Sequence, residues 1–205
     1  MPDADRGGVT RVASRAVALD RRDVDTDQII PASWLKRVER TGFGAGLFAA
    51  WREDPDFVLN RPGAAEARVL VAGANFGCGS SREHAVWALQ DFGFQAVVAP
   101  SFGDIFRNNS VAAGLVPAVV SDESAARLFA ALAAGPDAEV VVDLADRTVA
   151  VRSAGVLEPF EIADYARWRL MEGLDDIALT LRHEQEIGAF EARRAAWLPG
   201  LAGSA

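Results

Sequence analysis

A buried apolar run, followed at once by a glycine-rich turn and then by helical spacing, limits what this chain can become more than any other feature. Arg68-Val69-Leu70-Val71-Ala72 has the length and β-branched content of a buried strand. Gly77-Cys78-Gly79-Ser80-Ser81-Arg82-Glu83-His84 comes next, and Ala85, Val86, Leu89 and Phe92 then recur at helical period. A strand, loop and helix in this order belong to a parallel sheet, where ligands bind at the carboxyl ends of the strands. The loop also exposes the first unpaired N–H groups of a helix at the positive end of its dipole, which favours an anion.

The rest of the chain supports an α/β fold. Val12 to Leu19 reads as a strand, and Thr41 to Gly63 as a packed loop with short helical turns, too long to be a mere connector. After the helix expected over 82–92 come a strand from Gln95 to Ala99, a short helix near Phe102 to Asn109, and a strand from Val116 to Val120. With 68–72 this is the βαβαβ rhythm of a parallel sheet. Ser121 can cap a helix running to Ala134, stopped by Gly135 and Pro136. Glu139 to Leu144 and Thr148 to Ser153 alternate around Asp146-Arg147 as a hairpin. Helices are expected over Ile162 to Glu172, ended by Gly173, and over His183 to Ala196. The 205 residues, half of them apolar, suffice for one domain with a proper core across 1–205, with flexible ends at 1–8 and 200–205.

The chemistry of the loop narrows the anion to a carboxylate. Gly-Lys-Ser/Thr is absent, the further glycines of a dinucleotide fingerprint are absent, and Ser80 is not framed as Gly-x-Ser-x-Gly. Arg82 offers a planar fork for bidentate carboxylate binding, and Ser81 and the loop amides can hydrogen-bond an oxyanion. Ser80 is then left for another task. A serine abstracts a proton only if its alkoxide is held by preorganised donors in a site closed to water, which Arg82 and the helix N-terminus would provide. The plainer alternative is that Ser80 and Ser81 cap the helix and Arg82 makes a surface ion pair.

His84, four residues after Ser80, raises a serine–histidine pair, but a serine lying before the helix does not share its face, so His84 is assigned a structural role. His183, between Arg182 and Glu184, is read as solvated. Cys78 is the sole cysteine, so neither an intrachain disulfide nor a cysteine-held cluster can come from this chain. Its place near a helix N-terminus would lower its pKa and make it redox-sensitive; otherwise it is a small residue in a tight turn. The net charge of −8 argues against nucleic acid or an anionic membrane as partner. With no apolar run long enough to span a bilayer and no apolar core in Met1-Pro2-Asp3-Ala4-Asp5-Arg6, a cytoplasmic protein is expected.

Asn75-Phe76-Gly77-Cys78-Gly79-Ser80-Ser81-Arg82-Glu83-His84-Ala85 resembles the signature of the small subunit of 3-isopropylmalate dehydratase (isopropylmalate isomerase), a relative of the mobile C-terminal domain of aconitase. Asp25-Thr26-Asp27-Gln28-Ile29-Ile30-Pro31, Trp34-Leu35-Lys36, Arg40-Thr41-Gly42-Phe43-Gly44 and Ala99-Pro100-Ser101-Phe102-Gly103-Asp104-Ile105-Phe106 follow the same pattern in order. The resemblance implies a swivelling β/β/α domain with a mainly parallel central sheet and flanking helices. It implies dehydration and rehydration between 2-isopropylmalate and 3-isopropylmalate in leucine biosynthesis, a small dicarboxylate substrate, and a heterodimeric or larger assembly with a large subunit. That partner would carry a 4Fe-4S cluster, with no cofactor on this chain. By the same resemblance Ser80 aligns with the base and Ser81 and Arg82 with residues holding the substrate carboxylate.

Asp25 to Arg37 is similar to the loop that discriminates substrates in this superfamily. Lys36 and Arg37 compete for the place of a carboxylate-binding arginine, while Trp34 and Leu35 either line a pocket for the isopropyl group or pack in the core. The rivals are the small subunit of a related hydratase acting on citraconate, dimethylmaleate or homoaconitate, and a non-catalytic anion-binding regulatory subunit. Without its partner, the Asp25-to-Gly63 region is expected to be mobile.

Overall fold

In the computed structural model, residues 7–36 and 41–194 are described. Strand β1 (Arg11–Leu19) leads into a single helical turn, α1 (Thr26–Ile29). An irregular stretch then runs to β2 (Val69–Ala72), α2 (Glu83–Phe92), β3 (Ala96–Ala99), α3 (Asp104–Ala113) and β4 (Val116–Val119). Helix α4 (Asp122–Ala134) precedes β5 (Glu139–Asp143), β6 (Thr148–Val151) and β7 (Val156–Pro159). Helices α5 (Asp164–Glu172), α6 (Asp176–Leu181) and α7 (Glu184–Ala192) complete the described chain.

Among the described residues these strands form a seven-stranded sheet in the order β4-β3-β2-β1-β5-β6-β7. The half from β4 to β1 is parallel, while β5, β6 and β7 add antiparallel strands to the other side of β1. The sheet curls until its rims touch: Val119 and Glu161 exchange backbone hydrogen bonds of 3.2 and 2.6 Å between β4 and the residues just past β7.

Strict alternation divides the core in two. Val69, Val71, Ala96 and Val98 join Val140, Val142, Val149 and Val151 under α4, whose Leu128 and Leu132 close that side. Leu70, Ala72, Val97 and Ala99 face the other way, onto Ala85, Val86 and Leu89 of α2 and onto the irregular stretch. The parallel strands are therefore apolar on both faces, which is why they read as continuous runs. The expected helix stops hold: Gly135 is the C-cap of α4, and Gly173 ends α5 in the left-handed region (φ 67°); Gly114, which the sequence reading did not mark, ends α3 in the same way (φ 83°). Ser121 caps α4 through the amide of Ser124 at 3.0 Å.

The structure departs from the sequence reading at several elements. Helix α3 begins at Asp104 and outruns Asn109, and α5 begins at Asp164 rather than Ile162. Helix α1, strand β7 and helix α6 were not expected at all. The last expected helix spans Glu184–Ala192, and its end at Ala196 lies outside the described residues. The stretch after Thr41 is a series of short 3-10 turns, and it is packed: Phe43, Leu47 and Phe48 are fully buried. That burial argues for protection there rather than mobility. No helix of the described residues is long and apolar enough to cross a membrane.

Candidate active site

The loop from Gly73 to Arg82 leaves the carboxyl end of β2 and stays stitched to both neighbouring strands' continuations. Gly77 N–H donates to Val24 C=O (2.7 Å) and Thr26 N–H to Cys78 C=O (3.0 Å) on the β1 side. Phe76 N–H donates to Ser101 C=O (3.0 Å) and Gly103 N–H to Phe76 C=O (2.9 Å) on the β3 side. Parallel pairing thus continues past the strands as single bridges at Asp25↔Cys78 and Phe76↔Phe102. Because β1 and β2 are adjacent, the two segments that the sequence marked as functional meet although they lie far apart along the chain.

The turn depends on glycine most clearly at Gly77. Gly77 has φ +71°, and a Cβ there would run into the ring of Phe106, which packs edge-on against Phe76 (centroids 5.4 Å apart) beneath the loop. The turn presents Ser80 and Ser81 as exposed residues, with Arg82 at the N-cap of α2. Neither serine caps α2, so the capping alternative does not hold. Arg82 does make an ion pair, through Nη1 to Asp27 Oδ1, and the same nitrogen lies 3.5 Å from Ile30 C=O. Its side chain is only 15% exposed, while Nε and Nη2 have no hydrogen-bond partner among the described residues. The hydroxyls of Ser80 and Ser81 are likewise without one. A guanidinium fork, two hydroxyls and the uncapped start of a helix are together a carboxylate-binding set.

Trp34, Leu35 and Lys36 lie on a 3-10 turn over Ala32–Lys36. Trp34 packs against the core cluster and closely over Gly46, Leu35 is half-buried and Lys36 is exposed. Arg37 lies outside the described residues. His84 packs at a tilt against Trp87 and edge-on against Phe43 (centroids 4.7 and 5.3 Å) and makes no hydrogen bond to Ser80, which agrees with a structural role. His183, exposed, lies 3.2 Å from Glu186.

Cys78 corrects the expectation of an activated thiol. Burial pushes its pKa up, and the carboxylates of Asp25 and Asp23 push it further the same way, since each disfavours a thiolate. Burial first, and the two carboxylates after it, set a direction opposite to the one expected from the nearby helix N-terminus. Nor does this loop fit an iron–sulfur cluster, with one cysteine and no group of three potential metal ligands among the described residues.

Sequence reasoning did not assign Thr26 and Asp27 to the site, although both contact its loop. Thr26 Oγ1 donates to Ser80 C=O at 3.0 Å, and Asp27 holds Arg82. The signal was present as a capping box: Asp25 Oδ1 accepts from Gln28 N–H (2.9 Å) and Gln28 Oε1 from Asp25 N–H (3.0 Å). Such a box announces a helical turn at 26–29, and hence side chains fixed in direction.

Residues 8–123 match the family model of the aconitase C-terminal domain, and residues 176–204 match that of the C-terminal domain of the 3-isopropylmalate dehydratase small subunit. The chain is 62% identical over 185 residues to the 3-isopropylmalate dehydratase small subunit of Frankia alni, covering 90% of this chain and 94% of that one. It is 60% identical over 190 residues to that of Acidothermus cellulolyticus, covering 93% and 95%. The crystal structure of 3-isopropylmalate dehydratase from Methanocaldococcus jannaschii superimposes with a TM-score of 0.67 at 26% identity, covering 88% of this chain and 99% of that one.

Proposed function

The chain belongs to the 3-isopropylmalate dehydratase small-subunit family, of the aconitase superfamily, and from that membership we propose that its strand-end loop brings the base and the carboxylate clamp to the isomerisation. The protein is thus a hydro-lyase subunit of leucine biosynthesis, whose reaction interconverts 2-isopropylmalate and 3-isopropylmalate. Ser80 Oγ takes the proton from the carbon beside a substrate carboxylate. Negative charge then builds on that carboxylate, so Ser81, Arg82 and the first amides of α2 bind the transition state more tightly than the ground state. The hydroxyl leaves from the neighbouring carbon as a double bond forms, and rehydration adds water in the opposite sense: Ser80 gives a proton to the carbon that lost the hydroxyl, and the hydroxyl joins the carbon that lost the proton.

The observation that carries this reading is the largely enclosed Arg82 fork, whose Nε and Nη2 have no partner among the described residues, in one loop with two serine hydroxyls likewise unpartnered there. Trp34 and Leu35 would face the isopropyl group, and Lys36 or Arg37 a second carboxylate. A small subunit implies a large one. We assign the 4Fe-4S cluster, with the Lewis-acid part of the chemistry, to that partner, and place the assembly in the cytoplasm, acting on neither nucleic acid nor membrane.

The test is an anaerobic assay of the assembled enzyme with Ser80→Ala, offering 2-isopropylmalate and citraconate in competition. Loss of turnover by at least about 100-fold with complex formation intact is expected. Unchanged turnover would remove Ser80 as the base, and preference for citraconate would move the chain to a related hydratase.

A further inference from the structure

Thr26 and Asp27 are neighbours on α1, and each grips a different part of the catalytic loop. Thr26 is 2% exposed and its hydroxyl ends on the carbonyl of Ser80; Asp27 ends on Nη1 of Arg82. The geometry points to α1 as a bracket in which Thr26 positions Ser80 and Asp27 positions Arg82, an inference that rests on the roles given to those two residues above.

Rigidity runs from α1 to the loop. The turn is locked by its capping box, Ile29 and Ile30 are fully buried, and the Thr26 amide adds a backbone rung to Cys78. Arg82 sits on the half-buried rim of the opposite segment with a long flexible side chain, so it is the arginine that is held. Asp27 and Ile30 C=O occupy the same nitrogen, Nη1. Nε and Nη2, the parallel pair that a carboxylate takes side-on, stay available. α1 also opens the segment likened above to a substrate-discriminating loop, so it joins recognition to chemistry within a few residues.

The alternative is that Asp27 is a stand-in carboxylate competing with substrate, and the two readings differ in sign. Removing a competing negative charge strengthens anion binding, whereas removing an orienting partner weakens it although the net positive charge of the site has risen. In the complex with the large subunit, Asp27→Asn is expected to raise KM for 2-isopropylmalate about tenfold with a smaller loss of kcat, and Asp27→Glu to recover part of it. In an Arg82→Lys background, Asp27→Asn should add less than about twofold, because its partner is already gone. Thr26→Val should lower kcat more than KM, with Thr26→Ser close to the parent. Asp27 is half exposed, and thermal midpoints with complex formation verify that each variant folds.

Several results overturn the bracket while leaving the clamp in place: an unchanged or lowered KM in Asp27→Asn, or its full effect multiplying with that of Arg82→Lys. If Arg82→Lys alone leaves the kinetics untouched, the clamp itself fails and the bracket falls with it. If Thr26→Val does not fold, the Asp27 cycle and Thr26→Ser decide the matter.

Discussion

Regularity and burial are uncoupled in two stretches of this molecule. Among the described residues between α1 and β2 the helical segments are short 3-10 turns, yet Phe43, Leu47 and Phe48 are completely buried there and Phe57 and Leu59 nearly so. At the other end α6 and α7 are helices with no buried residue, leaving Ile177, Leu181 and Phe190 more than half exposed. Helices this short are marginal in water without packing, while irregular backbone is durable where side chains fill a core and local bonds satisfy its amides. Phe48 N–H, for example, donates to Ile29 C=O at 2.8 Å. Stability follows the buried aromatics, not the helical label.

The largest effect should come from Phe48→Ala. Its ring stacks on Trp51 (5.2 Å) and meets Phe57 edge-on, and truncation should cost about 3–5 kcal/mol in denaturant unfolding. A loss under about 1 kcal/mol would break the contrast. Gly77→Ala comes next, at about 1–3 kcal/mol from a left-handed backbone and a clash with Phe106, with activity of the assembled enzyme falling as well.

Glu158→Gln tests a contact outside both stretches. Bonds from Arg127 and Ser124 hold the Glu158 carboxyl down at about 2, against an ordinary 4.5. Its contribution is therefore complete above the ordinary value and lost as pH falls towards 2. The variant should melt a few degrees lower at neutral pH, with the gap to the parent closing on acidification; a constant gap would assign the loss to packing instead. The smallest effect is expected from Phe190→Ala, within about 0.5 kcal/mol. Hydrogen exchange sharpens the same comparison: amides of Phe48 and Trp51 should be protected far longer than those of α7 in the isolated chain.

Much of the site-bearing half was legible because its signals are local. The runs at 68–72 and 95–99, the capping serine at 121 and the stops at Gly135 and Gly173 each act within a few residues. Strand β7 was hidden for a physical reason: Leu157 points to solvent at 67% exposure while Glu158 is buried at 6%, inverting the pattern by which a half-buried strand is recognised. The Arg127 salt bridge and the Ser124 hydrogen bond, both from α4 and far along the chain, make that inversion tolerable. Helix α6 carried its signal in Asp175, whose side chain accepts from Ala178 N–H, but an apolar face without a core beneath it gave no period to read. At the site, the loop and its arginine were visible, whereas the holding of Arg82 by Asp27 depends on β1 lying beside β2. Pairing across that distance is a property of the sheet, not of either segment.

The touching rims of the sheet carry a consequence for the company this protein keeps. Each outermost strand contains a proline, Pro117 in β4 and Pro159 in β7, which has no N–H to offer a newcomer, and the bond pair between Val119 and Glu161 occupies the gap between them. An incoming strand finds little backbone to copy. Recruitment of like chains by edge-to-edge addition, the usual hazard of an open sheet, is suppressed without charged gatekeepers, and association is left to side-chain surfaces, where a partner can be chosen by shape.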